Sequence, residues 1–271
     1  MNAESPLGRK SDYPTRYAPE VLHALARADK RRALGIDERK LPFRGEDLWT
    51  AYDLSWLLPS GKPQAVIATL RVPAASPALV ESKSLKLYLD SLAMTPFGDE
   101  SAVVATIAAD LSRACGAPVG VTLAPPARSG VERSDFPGIC IDDIAVDCDR
   151  WQVDASLLAV ADDETADEAL HSHLLRSLCP VTGQPDIGSI LIRYQGPKVD
   201  RAALLRYLVS YRSHSDFHEN CIERMFLDLK QRCAPSRLSV YARYNRRGGL
   251  DINPFRSDGD DKAPDLRLPR Q

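Results

Sequence analysis

The sequence predicts an α+β protein built from two copies of one unit, and three observations carry that prediction. Segments such as AVIATLRV (65–72), SILIRYQG (189–196) and RLSVYARYN (237–245) alternate with the period of β-strands. Helical spacing lies between them: Val103, Val104, Ile107, Leu111 and Cys115 share one helix face, and Ile222, Phe226, Leu229 and Cys233 share another. The two helix ends also echo each other. Asp110-Leu111 runs to Cys115-Gly-Ala-Pro, and Asp228-Leu229 runs to Cys233-Ala-Pro, each just before a strand.

Taken in order, residues 1–45 are rich in charge and proline and read as an N-terminal arm, with one amphipathic stretch from Pro19 to Ala33 suited to a short helix. A first module spans 46–165. In it SLKLYLDSL (84–92) reads as a strand, because Leu85, Leu87 and Leu89 alternate and Glu81 shares their side. The helix over ESAVVATIAADLSRACG and the strand VGVTLA follow. From about 125 the module runs into a connector that contains FPGICIDD and DDETADE, the latter expected as an exposed acidic turn or helix start. A second module spans 166–271. It opens on ALHSHLLRSL, a helix-like stretch, and holds two helical patterns beginning at Asp200 and near Asp216. Asp216 stands three residues before Glu219, a capping-box signature.

With 271 residues, of which 44% are hydrophobic, the chain can bury a sizeable core. A formal charge of −2 gives no basic excess for nucleic acid, and no stretch has the length of a signal peptide core or a membrane span. The expectation is a cytoplasmic protein with no direct nucleic-acid or membrane partner. Its six cysteines form no CxxC pair and should be reduced.

Neither G-x-G-x-x-G nor G-x-x-x-x-G-K-[ST] occurs, so the two common phosphate-cradling loops are absent. Cations gather instead at Lys83 and Lys86, and at Arg243, Arg246, Arg247 and Arg256 around Gly248-Gly249. There a backbone could approach a phosphate closely, or the stretch is a solvated hairpin tip. Glu81 could accept an N–H and an NH₂ side by side, or be an exposed strand-edge charge. Glu219 could cap a helix as well as bind. His214 and His218 lie four apart and permit a metal pair, with His171 and His173 as further candidates. No thiolate or carboxylate stands at a characteristic spacing, so no metal ligand is assigned. Cys115, Cys140 and Cys233 lie in periodic segments and read as core. Cys179 differs: in SLCPVTGQPD it sits before Pro180, in a loop that returns through Gly183 to Asp186, where an acid or base can meet its sulfur.

These stretches together resemble one family, the NADPH-dependent 7-cyano-7-deazaguanine reductases of queuosine biosynthesis (tRNA modification), in their long two-module form. The resemblance runs nearly end to end through LPFRGEDLWTAYDLSWL, VESKSLKLYLDSL, HLLRSLCPVTGQPDIGSI, RYLVSYRSHSDFHENCIERMF and LSVYARYNRRGGLDINPFRS. It implies two tandem tunnelling-fold (T-fold) modules, antiparallel sheets with helices on one face, related to GTP cyclohydrolase I and associating as a homodimer. It further implies Cys179 as nucleophile and Asp186 as proton donor; Val80, Glu81, Ser82, His218 and Glu219 at the substrate; and Ser82, Lys83, Arg247 and Gly248 at NADPH. The implied reaction takes the nitrile of 7-cyano-7-deazaguanine to 7-aminomethyl-7-deazaguanine through a cysteine thioimide. Two other readings stand beside it: a zinc-dependent pterin or purine hydrolase using His214, His218 and a cysteine, and a non-catalytic binder of a purine-like ligand.

Overall fold

The computed structural model of the chain describes residues 13–126, 134–264 and 266–271, without the side chains of 162 and 163. The parts of the expected arm and connector at 1–12 and 127–133 lie outside the described residues. The elements are mixed α+β with mostly antiparallel strands, as the sequence predicts. They fall into two compact units, Met1–Arg39 with Asp47–Gly130 and Arg246–Ile252, and Lys40–Glu46 with Val131–Asn245 and Asn253–Gln271. The linear boundaries read from the sequence cut the same chain after 45 and after 165.

In the first unit, strand β1 (Ala24–Ala26) precedes helix α1 (Ala28–Ala33), and β2 (Arg44–Leu57) and β3 (Pro63–Pro73) follow. Next come β4 (Ala78–Val80), α2 (Ser82–Ser91), α3 (Glu100–Cys115) and β5 (Gly120–Ala124). β3 pairs antiparallel with β5, in the order β5-β3-β2, and β1 pairs with β4. Alternate residues of β3, Val66, Ala68, Leu70 and Val72, are buried in one cluster with Leu85, Tyr88 and Leu89 of α2 and Val103, Ile107, Leu111 and Cys115 of α3. Each fully buried valine, leucine or isoleucine among them stabilises the unit by about 1.5–3 kcal/mol, so this packing decides which face of α3 turns inward. Asp99 caps α3 by accepting from the Ala102 N–H at 2.8 Å, and Gly116 ends it in the left-handed region at φ 70°.

Two expectations fail in this unit. The stretch 84–92 is helix α2, not a strand. Ser84, Leu87, Tyr88 and Ser91 are buried at helical spacing beside the alternating leucines. The segment holds no β-branched residue, and its four leucines and its lysine are good helix formers that outweigh Tyr88 and Asp90. The stretch from Pro19 to Ala33 is not one helix either. It breaks into a single turn at Pro19–Val21, then β1, then α1. Arg27 and Arg31 point inward, Arg27 onto Asp47 at 2.6 Å with both side chains buried, and Arg31 onto the Ala74 carbonyl at 2.6 Å. Tertiary ion pairing has overridden the amphipathic pattern.

In the second unit, β6 (Ile139–Cys140) precedes β7 (Val160–Leu178) and β8 (Pro185–Val199), then α4 (Arg201–Val209), α5 (His218–Cys233), β9 (Arg237–Tyr244) and β10 (Leu250–Ser257), whose first three residues are counted with the first unit. The strand order is β10-β9-β8-β7-β6, with β6 parallel to β7 and the rest antiparallel where register is defined. Ile222, Phe226, Leu229 and Cys233 are buried, as predicted. The other face of the sheet is covered too: Leu191, Tyr241 and Phe255 pack with Phe136 of the connector and with Ala263 and Leu268. ALHSHLLRSL and DDETADE, expected as helix and acidic turn, both lie in β7. The long pairing with β8 outweighs the local pattern, and a bulge between Ser172 and Leu175 interrupts the alternation that would have marked a strand. Cys140, expected in the core, is exposed on β6. The capping box is absent: Phe217 is the N-cap of α5 and uses no side chain, while Asp216 accepts from the Phe217 N–H and the Asn220 amide.

The repeat seen in the sequence has a chemical counterpart. Asp110 on α3 accepts the Tyr88 hydroxyl of α2 at 2.7 Å, and Asp228 on α5 accepts the Tyr207 hydroxyl of α4 at 2.6 Å. Ser91 and Ser210 each bond back to the carbonyl of that tyrosine. Gly116 and Ala234 then end the two helices in the same left-handed step.

Candidate active site

Four of the expected residues, Cys179, Asp186, His218 and Glu219, belong to the second unit, and the β7–β8 hairpin organises them. Ser177 pairs with Asp186 and Leu178 with Pro185. Beyond them, the Cys179 N–H donates to the Gln184 carbonyl at 2.9 Å, and the Gly183 N–H donates to the Cys179 carbonyl at 3.0 Å. Gly183 takes φ 68°, the left-handed step that closes this loop. Strand periodicity puts Cys179 on the side of Ser177, and cross-strand pairing puts Asp186 there as well. Cysteine and carboxylate are therefore diagonal neighbours on one face, a relation that spans about 7–8 Å between Cα atoms. Both are buried.

The segment entering α5 closes over the other side of the hairpin. The Leu178 N–H donates to the His214 carbonyl at 2.8 Å, and the Asp216 N–H donates to the Leu178 carbonyl at 3.2 Å. This brings the first turn of α5 to the hairpin. His218 Nε2 lies 3.3 Å from Asp186 Oδ2, and the imidazole stacks on the Tyr244 ring at 3.6 Å between centroids with 5° between planes. Nδ1 of His218 is buried with no hydrogen-bond partner among the described residues. Glu219 is buried at the next helical position, where the positive end of the α5 dipole favours a carboxylate. Two other thiols are poorly suited to act as nucleophiles. Burial pushes the Cys221 thiol far above its ordinary range and the Cys233 thiol up to about 11, so both stay protonated near neutrality.

The remaining expected residues lie in the first unit. Val80 ends β4, and Glu81 is the N-cap of α2. Its side chain is buried and accepts the Lys83 N–H at 2.6 Å and the Ser84 N–H at 2.8 Å. The capping role assigned to Glu219 thus belongs to Glu81, whose Oε1 also accepts the Ser82 hydroxyl at 3.4 Å. The arm fixes this corner: the Glu81 N–H donates to the His23 carbonyl at 2.8 Å, and Ser84 Oγ accepts the His23 N–H at 3.0 Å. Ser82 and Lys83 are half-buried in the first turn of α2.

Gly248 and Gly249 form the tip of the β9–β10 turn at φ 60° and 83°. A Cβ on Gly248 would stand 2.9 Å from Lys86 Nζ, and one on Gly249 2.4 Å from Asp53 Oδ2. Lys86 is therefore the cation against this tip, with Lys83 one helical turn away on the same face. Arg246 stacks over Tyr52 at 4.5 Å. Arg243 and Arg256 leave the cationic set. Arg256 is buried against Glu223 at 2.9 Å, and Arg243 is buried against Tyr241 and Gln271. Bare backbone at two left-handed glycines, with lysine ammonium groups beside it, is what a phosphate-bearing cofactor requires.

Two family models match the chain. One, described as nitrile reductase, 7-cyano-7-deazaguanine-reductase N-term, covers residues 13–123, and the other, described as QueF-like protein, covers residues 185–263. The NADPH-dependent 7-cyano-7-deazaguanine reductase of Dechloromonas aromatica is 53% identical over 262 residues, which is 96% of this chain and 93% of that protein. The protein of the same name from Azoarcus sp. is 54% identical over 98% of this chain and 95% of its own length. That of Burkholderia multivorans is 50% identical over the whole of both.

The chain belongs to the 7-cyano-7-deazaguanine reductase family. Its two units are the tandem T-fold modules of that family. Sequence reasoning missed Tyr244 as the platform for His218; the register of β9 was legible, but the stacking was not. It named Lys86 as a cation without joining it to Gly248. Had the stretch been read as a helix, the three-residue spacing from Lys83 would have supplied that link. His214 does not join His218 and a cysteine in a metal-ligating group among the described residues.

Proposed function

We propose that this protein reduces the nitrile of 7-cyano-7-deazaguanine to the aminomethyl group, with NADPH as reductant, in the pathway that makes the queuosine modification of tRNA. The observation that carries the proposal is the cysteine and the carboxylate on one face of the β7–β8 hairpin, with His218 held 3.3 Å from that carboxylate.

A nitrile carbon accepts hydride poorly, and a thiolate converts it to a C=N that accepts hydride well. Cys179 gives its proton to Asp186, and its sulfur forms a bond to the nitrile carbon. Asp186 passes that proton to the nitrile nitrogen, giving a thioimide. Two NADPH molecules, held in turn, would each supply one hydride. After the first, the carbon–sulfur bond breaks, Cys179 leaves as thiolate and an imine remains; after the second, the product is an amine. His218, paired with Asp186, returns protons to it between the two steps. Burial keeps water from the thioimide, which would otherwise hydrolyse.

Glu81 and Glu219 accept the N–H and NH₂ edge of the deazaguanine, with Val80, Ser82 and His218 alongside. Ser82, Lys83, Arg247 and Gly248 hold the cofactor, and Lys86 joins them. Among the described residues no helix is long and apolar enough to cross a membrane. Our reading of the whole is a cytoplasmic homodimer, which sedimentation of the purified protein would check.

The deciding experiment incubates reduced protein with 7-cyano-7-deazaguanine without NADPH and measures intact and peptide masses beside a Cys179→Ala control. A mass gain equal to the substrate, on the Cys179 peptide and absent from the control, is the expected result. No gain from folded protein would overturn the nucleophile assignment.

A further inference from the structure

A second cluster of chemically able side chains lies elsewhere in the second unit, on β6 and β7. Cys140 and His171 are direct register partners, and His173 follows two residues along β7, its ring 5.3 Å from that of His171. One ligand atom from each of the three lies within 4.8 Å of the other two. His171 Nδ1 faces the Pro137 carbonyl at 3.3 Å, which accepts only if Nδ1 carries the proton. The Nε2 lone pair is then free, the arrangement that a carbonyl bonded to the other ring nitrogen imposes on metal-binding histidines.

Two carboxylates complete the group. His173 Nε2 stands 3.2 Å from Asp135 Oδ1, while its Nδ1 faces Ser189 Oγ at 2.9 Å. Asp142 accepts the His173 N–H at 2.9 Å through Oδ2, whereas its Oδ1 is buried with no hydrogen-bond partner among the described residues. The same carboxylate lies against the Cys140 thiol. A buried, unpartnered carboxylate oxygen beside a thiol and two imidazoles is a set of donor atoms suited to a cation; the Arg270 guanidinium, which donates to the His173 carbonyl and to Ser189 Oγ, is spent on those oxygens.

We infer that Cys140, His171 and His173, with Asp135 or Asp142 as fourth ligand, form a binding site for a zinc ion. One thiolate, two imidazoles and a carboxylate make a mixed N/S/O set suited to tetrahedral Zn²⁺. Bonds of about 2.0–2.3 Å put such ligands about 3.5 Å apart. Closure is needed from the present spacing, and exposed Cys140 and half-buried His173 are free to supply it. The ion would fasten the connector segment from Asp135 to Asp142 onto the strand that leads to Cys179. This inference is independent of the nitrile reading, since none of the five side chains takes part in that chemistry.

The test uses full-length, reduced protein carrying Cys179→Ala, so that the proposed nucleophile contributes no thiolate signal. Cobalt(II), a spectroscopic stand-in for zinc, is titrated in and then displaced with Zn²⁺. The expected result is one equivalent bound, with a thiolate-to-metal charge-transfer band in the near ultraviolet. Adding Cys140→Ser abolishes the band and His171→Asn weakens binding at least about tenfold, while Cys148→Ser leaves both unchanged. Cys140 is exposed, so its serine variant will fold even if the buried His171 variant does not. Absence of the band, or its survival in the Cys140→Ser protein, overturns the site.

Discussion

Glu81 allows capping and substrate binding to be separated. Its carboxylate accepts two backbone N–H bonds at 2.6 and 2.8 Å. Loss of an N-cap costs about 0.5–2 kcal/mol, and bonds to a buried charge stand at the upper end. Glu81→Ala should therefore destabilise the protein by about 2 kcal/mol, which for a chain of this size lowers Tm by about 4–8 °C. Its proposed hold on the deazaguanine edge is two further charge-assisted bonds. At about 1.5 kcal/mol each these are worth on the order of a hundredfold in Kd. Glu81→Asp parts the two effects. Aspartate is a favoured N-cap, but its carboxylate is withdrawn by about one carbon–carbon bond, 1.5 Å. Calorimetry should find its Tm close to wild type while substrate titration finds affinity reduced nearly as much as in Glu81→Ala. Wild-type affinity in the aspartate variant would reduce Glu81 to a cap, and an unchanged Tm in the alanine variant would refute the capping argument.

Tyr244→Leu removes the ring beneath His218, and aromatic stacking of this kind is worth about 0.5–1.5 kcal/mol. Its kcat should fall by about 3–10-fold with the KM for NADPH unchanged, whereas Tyr244→Phe should stay near wild type; equal losses in both would point to the hydroxyl instead. Gly248→Ala places a side chain at φ 60°, and its Cβ displaces Lys86 Nζ; the KM for NADPH should rise several-fold, and an unaltered KM would remove the turn from the cofactor site. At alkaline pH, burial and then Asp110 hold the Tyr17 phenol protonated, pushing it up from 10.0 to about 12. The folded value exceeds the unfolded one, so this contribution is complete below about pH 10 and is lost as pH rises toward 12. The urea midpoint of wild type should fall more steeply between about pH 10 and pH 12 than that of Tyr17→Phe; parallel slopes would refute it.

The parts legible in the sequence were those where one physical rule acted alone. α3 has a single apolar face, an aspartate cap and a terminal glycine, and all three agree. Elsewhere two rules competed. Leu85, Leu87 and Leu89 keep a two-residue period inside a helix, because α2 is buried on more than one side. His171, Ser172 and Leu175 look helical inside a strand, because a bulge breaks the alternation of β7. Arg27 and Arg31 look like a solvated face until Asp47 and the Ala74 carbonyl take them inward. For the site, Cys179 and Asp186 stood out because the loop is punctuated by proline and glycine. Tyr244 and Lys86 are set by contacts from segments far along the chain, which no local pattern encodes.

The segment that completes the first unit, Arg246–Ile252, is translated more than a hundred residues after the rest of it. Until it emerges from the ribosome, the Tyr52 N–H lacks the Gly249 carbonyl at 2.9 Å and the Tyr52 hydroxyl lacks Asp251 at 2.6 Å. The N-terminal unit, though made first, is therefore the one that must wait. A nascent chain stalled before residue 246 should expose an unfinished sheet margin to chaperones and proteases, and a gene split in the connector should yield two fragments that each lack a strand segment held by the other.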